Sequence, residues 1–257
     1  MKILCVGDVC GSIGCEYLKR VLPKLKHDEG IDCCIINGEN SADGNGITPF
    51  SADSLYSAGA DVITGGNHSL RRREVFERFD SDPFLLRPHN MITTGPGKGF
   101  TIVDLGHTRI GVINLVGTVY LPEAENPFSV ADELVEVLKN DGINIIVVDF
   151  HAEATSEKKA LAYYLDGRVS AVFGTHTHVL TADEQILEDG CGFITDIGMT
   201  GPKNSVLGVK KELSLAKIKD GAPVKFQLAD GPCLLNGCIF EIDRKSGKTI
   251  AVKRIDI

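Results

Sequence analysis

Five short apolar runs along this chain each end in a residue type that binds metal ions, and this repetition restricts the fold more than any single motif. Lys2-Ile3-Leu4-Cys5-Val6 runs into Gly7-Asp8, Cys33-Cys34-Ile35-Ile36 into Asn37-Gly38-Glu39-Asn40, and Asp61-Val62-Ile63-Thr64 into Gly65-Gly66-Asn67-His68. Ile143 to Val148 ends in Asp149-Phe150-His151, and Val169 to Phe173 in Gly174-Thr175-His176-Thr177-His178. Short apolar runs bounded by turn residues read as strands buried on both faces. The five runs therefore deliver Asp, Glu, Asn and His at strand carboxyl ends, the edge where open α/β sheets bind ligands.

Helical patterns alternate with these runs, which signals largely parallel sheets covered by helices. Ile13, Tyr17, Leu18, Val21, Leu22 and Leu25 recur at helical spacing between Gly11 and Gly30. Thr48 is a candidate N-cap with Pro49 at the first helical position and Gly59 as a stop. Ser129-Val130-Ala131-Asp132 predicts a third start, presenting Val130, Leu134, Val137 and Leu138. A fourth helix begins near Thr155-Ser156 and ends near Asp166-Gly167. Past Met199 the texture changes to extended runs, Val224 to Leu228, Cys233 to Ile242 and Thr249 to Ile257, read as antiparallel strands. Phe100 to Asp104 and Arg109 to Leu115 form a further β element mid-chain. The expected architecture is α/β, two sheets packed as a sandwich with helices outside. At 257 residues and 43% apolar content the chain can bury a full core, and one domain over 1–257 is expected.

A formal charge of -8 argues against a duplex nucleic-acid surface. Arg71-Arg72-Arg73 is the one dense basic cluster; it reads as a solvated helix start, close enough to His68 to attract a phosphate. No run approaches the ~20 apolar residues of a membrane span, and the run ending at Val6 is too short for a signal peptide. Eight cysteines without a C-x-x-C pair disfavour a thiolate zinc site and fit reduced thiols, so a cytoplasmic protein is expected. His27, His107 and His89 fall in turns or loops, outside the ligand runs, although His89 could line the cleft. The strands after residue 200 leave a homo-oligomer open.

Oxygen donors from Asp8, Glu39, Asn40 and Asn67 with nitrogen donors from His151, His176 and His178 make a mixed set suited to manganese, iron or zinc. Seven donors exceed the needs of one ion and suit two, bridged by Glu39. Two such ions about 3.5–4 Å apart clamp the attacking and leaving oxygens of a phosphoryl displacement.

In colinear order these motifs resemble those of the calcineurin-like metallophosphoesterases. Phe150-His151-Ala152-Glu153-Ala154-Thr155-Ser156-Glu157-Lys158, Gly174 to Val179 and Thr195-Asp196-Ile197-Gly198-Met199-Thr200-Gly201-Pro202 are more closely similar to the YmdB-like branch. The resemblance implies a four-layer αββα sandwich of two mixed sheets, two divalent or trivalent transition-metal ions with iron foremost, and phosphodiesterase activity. It further implies 2',3'-cyclic nucleotides as substrates, cleaved by a metal-bridging hydroxide. Asp8, Asn40 and His178 would hold one ion and Asn67, His151 and His176 the other, with Glu39 bridging. His68 would be the general acid or, alternatively, would orient a ligand, and Asp196 a weaker candidate to support a ligand imidazole. The chain departs from the superfamily in Asp8-Val9-Cys10, where Asp-x-His is usual, and from the branch in Ser69-Leu70, where an aromatic is common. Cys10 is read as a small buried side chain, with a thiolate ligand as the alternative. A phosphomonoesterase or nucleotidase on the same site, and a nucleotide-sensing regulator with vestigial hydrolysis, are the competing readings. A Rossmann-type nucleotide binder is weaker, because Gly11-Ser12-Ile13-Gly14 lacks the dinucleotide fingerprint.

Overall fold

Adjacent residues of the apolar runs are buried against different layers, and this alternation sets the architecture. The computed structural model describes residues 1–93, 95–121 and 124–257. In β1 (Lys2–Val6), Leu4 and Val6 join the core beneath the helices, whereas Ile3 and Cys5 join the core between the sheets. β3 (Cys33–Asn37) repeats this, with Cys34 and Ile36 on one face and Cys33 and Ile35 on the other. In β7 (Ile145–His151), Ile146, Val148 and Phe150 face the second helical layer and Ile145 and Val147 the first sheet. A strand apolar at every position is what such two-sided burial demands.

The first sheet runs β2 (Asp8–Val9), β11 (Met199–Pro202), β12 (Cys233–Ile242), β1, β3 and β4 (Val62–Thr64), with β13 (Thr249–Asp256) also paired to β12. The second runs β5 (Phe100–Asp104), β6 (Arg109–Val116), β7, β8 (Ala171–Thr175), β10 (Gly192–Ile194) and β9 (Gln185–Ile186). Parallel pairs β1–β3–β4 and β6–β7–β8 point their carboxyl ends the same way within each sheet. Helices α1 (Gly11–Glu29) and α2 (Pro49–Ala58) cover the first sheet; α4 (Pro127–Asn140) and α5 (Thr155–Leu165) cover the second. The four layers are those expected.

Local chemistry explains most helix limits. Thr48 accepts a hydrogen bond from the Ser51 N–H while Ser51 reciprocates, Pro49 follows, and Gly59 closes α2 in the left-handed conformation. Helix α4 starts earlier than the Ser129 pattern predicts, because Asn126 accepts from the Phe128 N–H and Pro127 takes the first helical position. Its buried stripe uses Val135 in place of Val137, which is exposed. Two further elements depart from expectation. Lys211–Asp220 is a mostly exposed helix, α6, after a short α3 (Phe76–Ser81), and Val224 to Leu228 forms only an isolated bridge between Leu228 and Val209. α6 buries only Ser214, so it carries no apolar stripe to betray it. Among the described residues no helix is long and apolar enough to cross a membrane.

Candidate metal centre

A buried polar layer ties the two sheets together at their carboxyl ends. Asp149 Oδ2 accepts from Asn37 Nδ2 at 3.1 Å and from Thr64 Oγ1 at 2.5 Å, and Asn114 Nδ2 donates to Gly65 O at 3.1 Å. Burial pushes the Asp149 carboxyl up to about 6, against the hydrogen bonds from Thr64, Thr175 and Asn37 and the charge of His151. These are polar residues inside apolar strands, a signal legible in Asp149-Phe150-His151 but not assigned a role from sequence. Above this layer the loops after β1, β3, β4, β7 and β8 converge.

All seven predicted ligands and His68 meet there in one continuous network. His151 Nε2 lies 3.2 Å from Glu39 Oε1, 3.1 Å from Asn67 Oδ1 and 3.0 Å from His176 Nδ1. Asp8 Oδ1 is 3.7 Å from His178 Nε2, and Asn40 Nδ2 is 3.1 Å from both Glu39 Oε1 and His178 Nε2. Glu39 stands between the two halves. Asp8, Glu39 and His151 are fully or almost fully buried.

Partners beyond the cluster settle which ring nitrogens face it. Thr175 Oγ1 is 2.7 Å from Asp149 Oδ1 and 2.9 Å from His151 Nδ1. With its single proton given to the carboxylate, the hydroxyl accepts the His151 Nδ1–H, and Nε2 is left toward the cluster. His176 donates Nε2–H to Glu153 Oε2 at 3.0 Å and turns Nδ1 inward; His178 donates Nδ1–H to Leu207 O at 3.2 Å and turns Nε2 inward. Oriented imidazoles of this kind are typical of metal ligands. Around His151 Nε2, a carboxylate oxygen, a carboxamide oxygen and a second imidazole nitrogen bring lone pairs within about hydrogen-bond distance, a donor set suited to a metal cation. Among the described residues, Glu39, His151 and His176 each place a ligand atom within 4.8 Å of the other two. The residues fit a transition-metal site.

Electrostatics divide the histidines. Burial pushes His176 down to about 3, aided by His151, so its ring is neutral at ordinary pH, the form that binds a metal. His151 and His178 move up despite burial, His151 because of Glu39, and His178, to about 10, because of Cys10 and then Asp8. Burial would raise Glu39, but His151 and His68 hold it well below the usual carboxylate range. Asp8 moves up through burial, opposed by His178 and His151. His68 moves down through burial, with Arg71 acting the same way and Glu39 opposing.

Asn40 differs from the expected ligand geometry, since its Nδ2 faces the cluster while Oδ1 lies 3.1 Å from His68 Nδ1. A half-turn of the amide would present the oxygen instead. Cys10 is buried, its sulfur 3.7 Å from His178 Nδ1, on the ring edge away from the cluster. That placement fits the small buried side chain better than the ligand. His89 lies outside the cluster; its Nδ1 accepts from the Gly99 N–H and its ring packs edge-on to Phe100. Arg71 and Arg72 hold the preceding loop, through Asn45 Oδ1 and Asn45 O respectively. Asp196 supports the His176–His178 turn by accepting from Thr177 N–H at 3.1 Å and Thr177 Oγ1 at 2.7 Å.

A cavity of about 300 Å³ opens over the cluster, lined by Glu39, Asn40, His68, Glu153, His176, His178 and Leu207 among others. A larger hollow of about 430 Å³ behind the 41–48 loop includes none of the eight cluster residues in its lining. Compared with known families, residues 4–255 match the model of the YmdB-like proteins. The chain belongs to the YmdB-like family. A relative in this family, the 2',3'-cyclic-nucleotide 2'-phosphodiesterase of Bacillus subtilis (strain 168), is 46% identical over 99% of this chain and 96% of its own. A crystallised phosphatase of Mycoplasma pneumoniae is 36% identical, with a TM-score of 0.93 over 100% of this chain and 93% of that one. A 5'-nucleotidase precursor of Thermus thermophilus, 12% identical with a TM-score of 0.58, shares the fold over 54% of its length. The YmdB-like family thus shares its layered fold with nucleotide-cleaving proteins of different sequence.

Proposed function

We propose that this protein is a metal-dependent phosphodiesterase acting on small nucleotides, with 2',3'-cyclic nucleotides as the substrate class, and that residues 1–257 form one catalytic domain. The observation that carries the reading is the convergence of eight polar side chains from five strand ends around His151 Nε2 and Glu39. Asp8, Asn40 and His178 would hold one ion, Asn67, His151 and His176 the other, and Glu39 would bridge them. Bound there, two transition-metal ions, with iron placed first and manganese or zinc as alternatives, would supply Lewis acidity and activate water.

The chain's own groups do the rest. Asp149 and Thr175 hold His151 in the tautomer that turns Nε2 inward, and Glu153 does the same for His176 Nδ1. His68 lies at the cavity wall, partly exposed, with Nδ1–H facing the acceptors Asn40 Oδ1 and Glu39 Oε1, so Nε2 carries a proton to give only when the ring is an imidazolium. It is placed to protonate the departing alkoxide as general acid. The cavity admits a small phosphoester rather than a duplex, in keeping with the acidic net charge.

The test is metal analysis of the purified protein with bis-p-nitrophenyl phosphate and 2',3'-cyclic AMP as substrates, for wild type and His68→Ala. About two ions per chain, chelator-sensitive turnover and a loss of roughly 10²–10⁴-fold in His68→Ala with metal retained are expected. A His68→Ala protein with full metal and undiminished turnover would remove the general-acid assignment. The relative called a phosphatase favours a second reading, monoester hydrolysis at the same site, and p-nitrophenyl phosphate separates the two.

A further inference from the structure

Lys158 is a lysine with no exposed surface, on the helix that follows His151. Its Nζ lies 2.7 Å from Asp196 Oδ2, the same oxygen that accepts both the N–H and the hydroxyl of Thr177. Asp196 Oδ1 accepts from the Gly198 N–H at 2.9 Å. The stem reaches Asp196 by passing beside Gly174, where an added Cβ would meet Lys158 Cδ at 2.7 Å and Thr195 O at 1.9 Å. Glycine is required there first by the Thr195 backbone, and its bare Cα also leaves room for the lysine stem.

The clamped segment is the most conformationally demanding part of the site. His176 and His178 both have positive φ, 99° and 62°, a region that non-glycine residues occupy only when the surroundings hold them there. This geometry lets residues two apart turn inward-facing nitrogens to opposite halves of the cluster. Thr177 between them faces away and is anchored on Asp196, while Asp8 Oδ2 accepts from the His176 N–H at 3.1 Å. A buried carboxylate left without its cation is strongly destabilised, so Asp196 can anchor Thr177 only while Lys158 is in place.

We infer that Lys158 is a positioning residue for the metal centre: through Asp196 and Thr177 it holds the His176–His178 turn in the strained form that binds metal. The inference rests on the metal reading of the site. It makes the helix after β7 part of the site without supplying a ligand.

The experiment titrates Mn2+ into metal-free wild type, Lys158→Met, Lys158→Met/Asp196→Asn and the control Lys159→Met, an exposed lysine on the same helix. Free Mn2+ is read by electron paramagnetic resonance, and thermal melts of the metal-free proteins accompany it. The double variant carries no unpaired buried charge and is the arm that decides if Lys158→Met fails to fold. Expected is Mn2+ affinity weakened roughly 10–100-fold in both Lys158 variants, unchanged in Lys159→Met, with the double variant melting near wild type. Wild-type affinity in a folded double variant would overturn the inference alone. A double variant unable to fold would assign the pair to the fold and overturn it also. A wild-type protein that bound no Mn2+ would overturn the metal reading and this inference together.

Discussion

Replacing Gly66 by alanine puts a methyl group inside the cluster and tests whether its geometry matters. The added Cβ would lie 2.2 Å from Glu39 Oε2 and 2.3 Å from His151 Nε2. Contact at optimal separation needs about 3.5 Å, so these two groups must each retreat by about 1 Å. Gly66 is not among the glycines with positive φ, so its backbone accepts alanine and the strain falls on the side chains. Overpacking of this kind costs about 1–3 kcal/mol, a fraction of the 5–15 kcal/mol that holds a typical domain folded. The protein should fold, melting roughly 2–12 °C lower. Metal–ligand distances tolerate only about 0.2 Å, and a 1 Å misplacement costs on the order of 10²-fold in rate. Metal content and bis-p-nitrophenyl phosphate turnover of the reconstituted variant are the assay. A folded Gly66→Ala protein with full metal and turnover within about threefold of wild type, far from the 10²-fold loss, would refute the placement of Glu39 and His151 at the reactive centre.

Thr175→Val keeps the shape of the residue but removes the acceptor for His151 Nδ1–H. The buried N–H left unpaired costs about 1–3 kcal/mol, and with the tautomer released Mn2+ affinity should fall by at least about tenfold; unchanged affinity in a titration would sink the orientation argument. Asp183 tests the pH dependence of stability away from the site. Burial works against its charged form, but the Thr195 hydroxyl and N–H win and hold its carboxyl below the usual value. Its contribution is therefore present above the unfolded value of about 3.9 and is lost as pH falls through the lower folded value. In urea melts Asp183→Asn should be less stable than wild type at pH 7, with the gap closing as the pH falls below about 4; a gap independent of pH would contradict the assignment.

Most of the longer strands, most of the helices and the polar residues that converge at the site could be read from residues alone, because each depends on local rules, although Val224 to Leu228 reads as a strand and is not one. Two-sided burial writes itself as an uninterrupted apolar run, and Thr48-Pro49 and Gly59 mark the ends of α2. Reading failed where local signals compete or vanish. Asn126 outranked Ser129 as a cap because proline follows it directly, and α6 has no apolar stripe to reveal it. In the site, the donors were legible but the groups that orient them were not. Glu153, Thr175 and Leu207 act on His176, His151 and His178 across 23, 24 and 29 positions of sequence.

What the sequence determined by itself is thus the strands that lead into the site, their carboxyl-end residues and the chemistry those residues can offer. The tertiary structure decided which nitrogen of each histidine faces inward, which oxygen of Glu39 meets His151, and that a buried lysine stands behind the His176–His178 turn. The reason is one of range. Apolar periodicity and capping act within a few residues, whereas a ligand's orientation depends on strand register and on how two sheets pack, through contacts between residues that only the folded chain brings together.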